Sequence, residues 1–133
     1  MSTQAIVDAI YAKLTADQTS GSVYSDVGGR IYEMRAPQDA ALPLLVFTVI
    51  PESVPLIASD NTDAEVQIDL WGHVRLGAKA IGDINDKLDA LFNRVAITPT
   101  GSNAGMTQVI DPGLRTIEED AVRITSRWKL FTN

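Results

Sequence analysis

A single α+β domain, with a mainly antiparallel sheet and two helices packed on one face, is the fold this sequence predicts. Two kinds of periodicity carry that expectation. Ile6, Ile10 and Leu14, and later Ile81, Ile84, Leu88 and Leu91, recur at helical spacing. Val66, Ile68 and Leu70, and later Val122, Ile124, Trp128 and Leu130, fall on alternate positions of two strand-like stretches. The order helix, strands, helix, strands gathers the helices on one side of the sheet. With 133 residues the chain fits one domain, 1–133, able to bury a core without staples.

The elements follow in order. Thr3 to Ala16 forms the first helical stripe, with Ser2 or Thr3 as its cap. "DQTSGS" ends it, and "SDVGG" marks a second break where Gly28 or Gly29 takes a positive φ. Leu44 to Ile50, bracketed by Pro43 and Pro51, is apolar almost throughout, as a strand covered on both faces would be. "PESVPLIASDNTDA" (Pro51 to Ala64) is a long projecting connection. Glu65 to Trp71 alternates as a strand with one buried face. Leu76 to Asn93 is the second helix, with Asp83 and Lys87 spaced for an ion pair. Short strands at Val95 to Ile97 and Met106 to Ile110 flank "TPTGSNAG", and "DPGLRTIEED" reads as a loop. Ala121 to Phe131 is the last strand, with Arg123, Thr125, Arg127 and Lys129 on its polar side. No internal repeat or low-complexity tract interrupts this order.

Composition narrows the chemistry. The chain is 45% hydrophobic and 21% charged, the balance of an ordinary globular domain. It has no cysteine, which excludes disulfides and thiolate metal sites. Seventeen acidic against eleven basic residues give a formal charge of −6, which disfavours binding along a phosphate backbone. The amino-terminal "MSTQAIVDAIYAKL" has neither a charged start nor a continuous apolar stretch, so no signal peptide is expected, and "ALPLLVFTVIP" is too short to span a bilayer.

Candidate active-site chemistry is sparse. His73 is the one histidine, and a catalytic reading pairs it with Asp69. Their spacing, across a strand end and a glycine, enforces no contact, and a solvated histidine is the simpler reading. One histidine without cysteine also argues against zinc. "SDNTDAE" fails the calcium-loop pattern, because Thr62 and Ala64 stand where ligands are needed. No phosphate-binding loop, dinucleotide motif or nucleophile elbow is present. Catalytic residues, cofactor and metal are therefore all expected to be none. The row Arg123, Arg127, Lys129 is read as cross-strand pairing with Glu65, Gln67 and Asp69, with a partner-binding patch as the other reading.

The strings "GGRIY" and "RAPQDAALPLLVF", after an amino-terminal helix, resemble the signature of the tail-completion, or tail-terminator, proteins of long-tailed bacteriophages. "VQIDLWG", the helix after it and the closing "VRITSRWKLF" fall in that family's order, so the resemblance spans nearly the whole chain. Asp39 stands where the family pattern has glycine, and the Pro51 to Ala64 connection is longer than usual.

The resemblance implies a structural virion protein, not an enzyme. It implies a homo-oligomeric ring, a hexamer, that caps the head-proximal end of the tail tube, ends its growth and joins it to the neck. The implied partners are further copies of the chain, the tail tube protein and a neck or connector protein, with DNA only passing through the lumen and no membrane. The implied place is the virion, after assembly in the host cytoplasm. A connector-side ring is the nearest alternative, and a small ligand-binding or enzymatic domain the remoter one. Within this reading Arg30, Tyr32, Arg35, Pro37 and Gln38 are candidate interface residues, because Arg and Tyr anchor interfaces and proline lowers ordering cost. The equal alternative is that Ile31 and Tyr32 fill the domain's own core. Val54, Leu56 and Ile57 form a second candidate, apolar on a connection and covered either by a partner or by their own domain.

Overall fold

The computed structural model describes residues 3 to 51 and 63 to 132. Helix α1 (Thr3–Thr15) and a single-turn helix α2 (Val23–Asp26) lead into strand β1 (Ile31–Glu33). Strands β2 (Leu44–Pro51) and β3 (Ala64–His73) follow, then a 3-10 turn at Val74–Leu76 and helix α3 (Ala78–Phe92). Strands β4 (Val95–Ala96), β5 (Gly105–Glu118) and β6 (Ala121–Thr132) complete the chain. One six-stranded sheet results, in the order β1-β2-β3-β6-β5-β4. Among the described residues only β1 and β2 run parallel. The expected α+β class is what the chain adopts.

The alternation read from the sequence decides which face is buried. Along β3, Val66, Ile68 and Leu70 are buried, and along β6 so are Val122, Ile124, Trp128 and Leu130. These side chains meet Ile6, Ile10 and Leu14 of α1 and Ile81, Ile84, Leu88 and Phe92 of α3 in one core. Ser126, Thr107 and Thr132 are the polar residues buried on this face among the described residues, and Ser126 shows how such a group is satisfied. It is buried, and its hydroxyl accepts a hydrogen bond from the Trp128 indole at 3.0 Å, which satisfies the ring nitrogen. Gly72 sits under α3, and a Cβ there would collide with Ile81, so only glycine lets the helix lie this close. In β2, Leu45 and Phe47 join the main core, while Leu44 and Val46 are buried outside it on the opposite side. The strand is thus covered on both faces along its first half, as its unbroken apolar run predicts.

Four local expectations change. "DPGLRTIEED" is not a loop: most of it is the second half of β5, paired with β6 as far as Glu118 opposite Ala121. Register shifts between Val109, Asp111 and Leu114 absorb Pro112 and Gly113, which is why the stretch reads as irregular. Val23–Asp26 is a helix rather than a plain break, because the Ser22 hydroxyl accepts from the Ser25 N–H at 3.1 Å and caps it. Helix α3 starts at Ala78, two residues late, since Gly77 at φ +82 separates it from the 3-10 turn. Asp83 pairs with Lys79 at 3.0 Å, and Lys87 instead reaches Asp26 at 2.5 Å, which ties α3 to α2.

Removing the indole by Trp128→Ala should cost about 3–5 kcal/mol of folding stability in urea titration, the usual range for a buried aromatic. Leu114→Ala, at a side chain 62% exposed, should stay within about 0.5 kcal/mol.

Candidate assembly surface

With the helices on one face, the other face of β3, β6 and β5 carries half-exposed polar side chains. Glu65 faces Lys129 across β3 and β6, Gln67 faces Arg127, Asp69 faces Thr125 and Trp71 faces Arg123. Arg127 reaches diagonally to ion-pair with Glu65. Thr125 donates its hydroxyl to Asp69 at 2.5 Å, and Gln67 donates to the same carboxylate at 3.2 Å. Arg123 pairs with Glu118 at 2.9 Å and lies over the Trp71 ring at 5.2 Å. Internal pairing therefore accounts for Arg123 and Arg127, though Arg123 takes its acid from the end of β5 rather than from β3.

The sheet also removes the catalytic pairing of His73 with Asp69. Four residues of extended chain hold their Cα atoms about 13 Å apart. The Asp69 carboxylate is engaged with Thr125 and Gln67. His73 lines a cleft of about 330 Å³ together with Pro43, Ile81, Asp83 and the Asp26–Lys87 pair. Among the described residues no cluster of three or more His, Asp or Glu side chains forms a metal site, and no helix is long and apolar enough to cross a membrane.

The candidate interface residues divide. Gly28 and Gly29, at φ +62 and +73, turn the chain sharply into β1. This turn folds the Arg30 guanidinium back against Gly28, where its Nε–H donates to the Pro43 carbonyl at 2.9 Å. Arg30 thereby clamps the start of β2 within its own chain. Ile31 is buried in the core, while Tyr32 is half-buried and aligned with Val46, on the side of the sheet away from the helices. Met34 is 68% exposed with φ +64, an uncommon conformation for a non-glycine residue. Tyr32, Arg35, Pro37 and Gln38 together line an open depression of about 610 Å³ beside the β1 edge. Val54, Leu56 and Ile57 lie outside the described residues.

The sequence pointed to one edge of the sheet and missed the other. Strand β5 carries Met106, Ile110, Leu114 and Ile117, all exposed, with Ile117 at 72%. Beside it, β4 pairs with Met106 and Thr107, so among the described residues the outer margin of β5 has no strand partner from Gln108 onward. Asn93 accepts from the Val109 N–H at 3.4 Å, and Asn85 donates to the Pro112 carbonyl at 2.6 Å, so α3 satisfies part of this margin. Ile110, Leu114 and Ile117, apolar yet exposed in a stretch that reads as a loop, were the signal available in the sequence.

No family model matches the chain, and no curated protein matches it in sequence. Solved structures do share its fold. One, identified only by a sequence label, superposes with a TM-score of 0.74 at 17% identity, covering 100% of this chain and 96% of its own. Another, a chain from the virion of a native gene transfer agent particle, superposes with a TM-score of 0.74 at 15% identity, covering 98% of each. At these identities the likeness is one of fold.

A double-mutant cycle on Glu65 and Arg127 should return a coupling of about 0.2–1 kcal/mol that fades as salt is raised, the behaviour of an exposed pair.

Proposed function

We propose that the chain is a structural virion protein that closes the head-proximal end of a phage-type tail tube. On this reading copies assemble into a ring, a hexamer, that stops tube growth and offers its far side to the neck or connector. The observation that carries the reading is the full-length fold likeness to a chain from a gene transfer agent virion, joined to the tail-terminator-like strings. In the fold those strings occupy one place: "GGRIY" makes the turn and the edge strand β1, and "RAPQDAALPLLVF" returns the chain into β2.

A ring of identical copies needs two different complementary surfaces on each copy, related by a rotation that closes. An open sheet supplies two margins of this kind, β1 at one side and, beyond the two-residue β4, the rest of β5 at the other. Solvated charge dominates the face without helices, as suits a protein that meets others in layers rather than one enclosing a substrate. The formal charge of −6 fits a passage for DNA without adhesion.

Electron microscopy of particles from a producing host with this gene deleted tests the role. Overlong or ragged tails apart from filled heads are expected. Tails of normal length that remain unjoined would move the protein to the connector side, and intact infectious particles would contradict a virion role.

A further inference from the structure

One stripe of α3 borders the open margin of β5. Asn85, Asp89 and the capping Asn93 recur four apart, so they lie along one side of the helix. Asn93 takes the Val109 N–H and Asn85 holds the Pro112 carbonyl, which sets the stripe beside the strand. Asp89 lies between them. Neither its carboxylate nor that of Asp86 has a hydrogen-bond or ion-pair partner among the described residues. Asn85, Asp86, Asp89, Pro112 and Trp128 together line a notch of about 290 Å³. Asn85 also keeps its Oδ1 buried without a partner among the described residues. The groups left without any partner here are therefore acceptors, two carboxylates and an amide oxygen.

Past the bulge the margin is regular. Leu114 to Glu118 pair with Thr125 to Ala121 without a shift. In such a ladder every second residue turns its N–H and C=O away from the partner strand. Among the described residues nothing bonds to those outward groups. Exposed apolar side chains flank them on both faces of the sheet. Leu114, level with Thr125, lies on the face without helices, and Ile117, level with buried Val122, lies on the helix face. The surrounding charge is mostly negative, since Glu119 and Asp120 are exposed at the end of the margin and add to Asp86 and Asp89. Arg115 has the opposite sign, but its guanidinium lies back against Gly82 of α3.

We propose that this margin docks an extended segment of a partner protein, which adds a strand along Leu114–Glu118 and sets a lysine or arginine into the notch of Asn85, Asp86 and Asp89. Each observation selects a different part of that partner. The outward N–H and C=O groups take its backbone. Leu114 and Ile117 take apolar side chains on either face of the added strand. The unpaired carboxylates take a cation, because charge-assisted hydrogen bonds satisfy acceptors that an acidic segment would repel and an apolar one would leave bare. The docking does not rest on the tail-ending role. A margin filled in this way leaves ring contacts to β1 and a further surface, so the two claims fail separately.

Fluorescence anisotropy and amide hydrogen exchange of the full chain, with a labelled peptide of alternating lysine and valine, test it. The peptide should bind and slow exchange across Leu114–Glu118. Its counterpart of alternating glutamate and valine should bind about tenfold more weakly or worse. Asp89→Lys should weaken the lysine peptide by about tenfold, and Asp86→Lys gives a second variant with the same expectation. Asp8→Lys, an equal charge change at an exposed position of α1, should leave affinity within about twofold, which separates the notch from the general pull of a chain of charge −6. Circular dichroism identifies any variant that fails to fold. The proposal is overturned by a lysine peptide that does not bind, by equal binding of the two peptides, or by equal losses in the folded margin variants and Asp8→Lys. Exchange that slows elsewhere but not at Leu114–Glu118 overturns it too, as does a chain that oligomerises through this margin before any peptide is added. The tail-ending role is judged separately, by tail length in the deletion host.

Discussion

The antiparallel pairing of β3 with β6 is the constraint on which the other features depend. Ten consecutive residue pairs, from Ala64 with Leu130 to His73 with Ala121, lock two strands whose apolar residues alternate in phase. A slip of one residue would turn Val66, Ile68 and Leu70 to water and Glu65, Gln67 and Asp69 into the core. That penalty fixes the register, and the register fixes two faces. One face collects α1 and α3 around Trp128 and Phe92, whose rings lie 5.8 Å apart. The other is left to Glu65, Asp69, Thr125 and Arg127, which satisfy one another and need no covering layer.

The two margins are set from this centre outward. β2 aligns on β3 and carries β1, and β6 carries β5, so the height of each margin follows from the same register. Arg30 secures one side by holding the Pro43 carbonyl where β2 begins. Thr107 secures the other, since its buried hydroxyl donates to the Phe92 carbonyl and ties the end of α3 to β5. A protein that works by stacking beside copies of itself needs such margins at defined heights. His73 and Asp69 are kept apart by the same strand that makes the core.

Much of this was legible in the sequence because the core elements are periodic. The stripes Ile6, Ile10, Leu14 and Ile81, Ile84, Leu88 identified both long helices, and the alternations at Val66–Leu70 and Val122–Leu130 identified the central strands. What lacked a period was missed. Helix α2 is a single turn and leaves only its Ser22 cap to see. The second half of β5 is an edge, wet and bulged, so Pro112, Gly113 and Glu118 look like loop chemistry while pairing continues through them. The Asp83–Lys87 pairing gave way to Lys79–Asp83, equally spaced on α3, and to Lys87–Asp26 of α2, a partner that spacing within one helix could not reveal. The β1 margin was found only through its resemblance to a family pattern. Its counterpart on β5 became visible once the registers were known.

The central claim is one of place: a ring of this fold sits between tube and neck. Cryo-electron microscopy of intact particles, with the head-to-tail junction reconstructed, tests it most directly. The account predicts one layer of this α+β fold closing the head-proximal end of the tube. Density for the chain at the distal tail tip or within the capsid shell, with a different fold closing the tube, would contradict it.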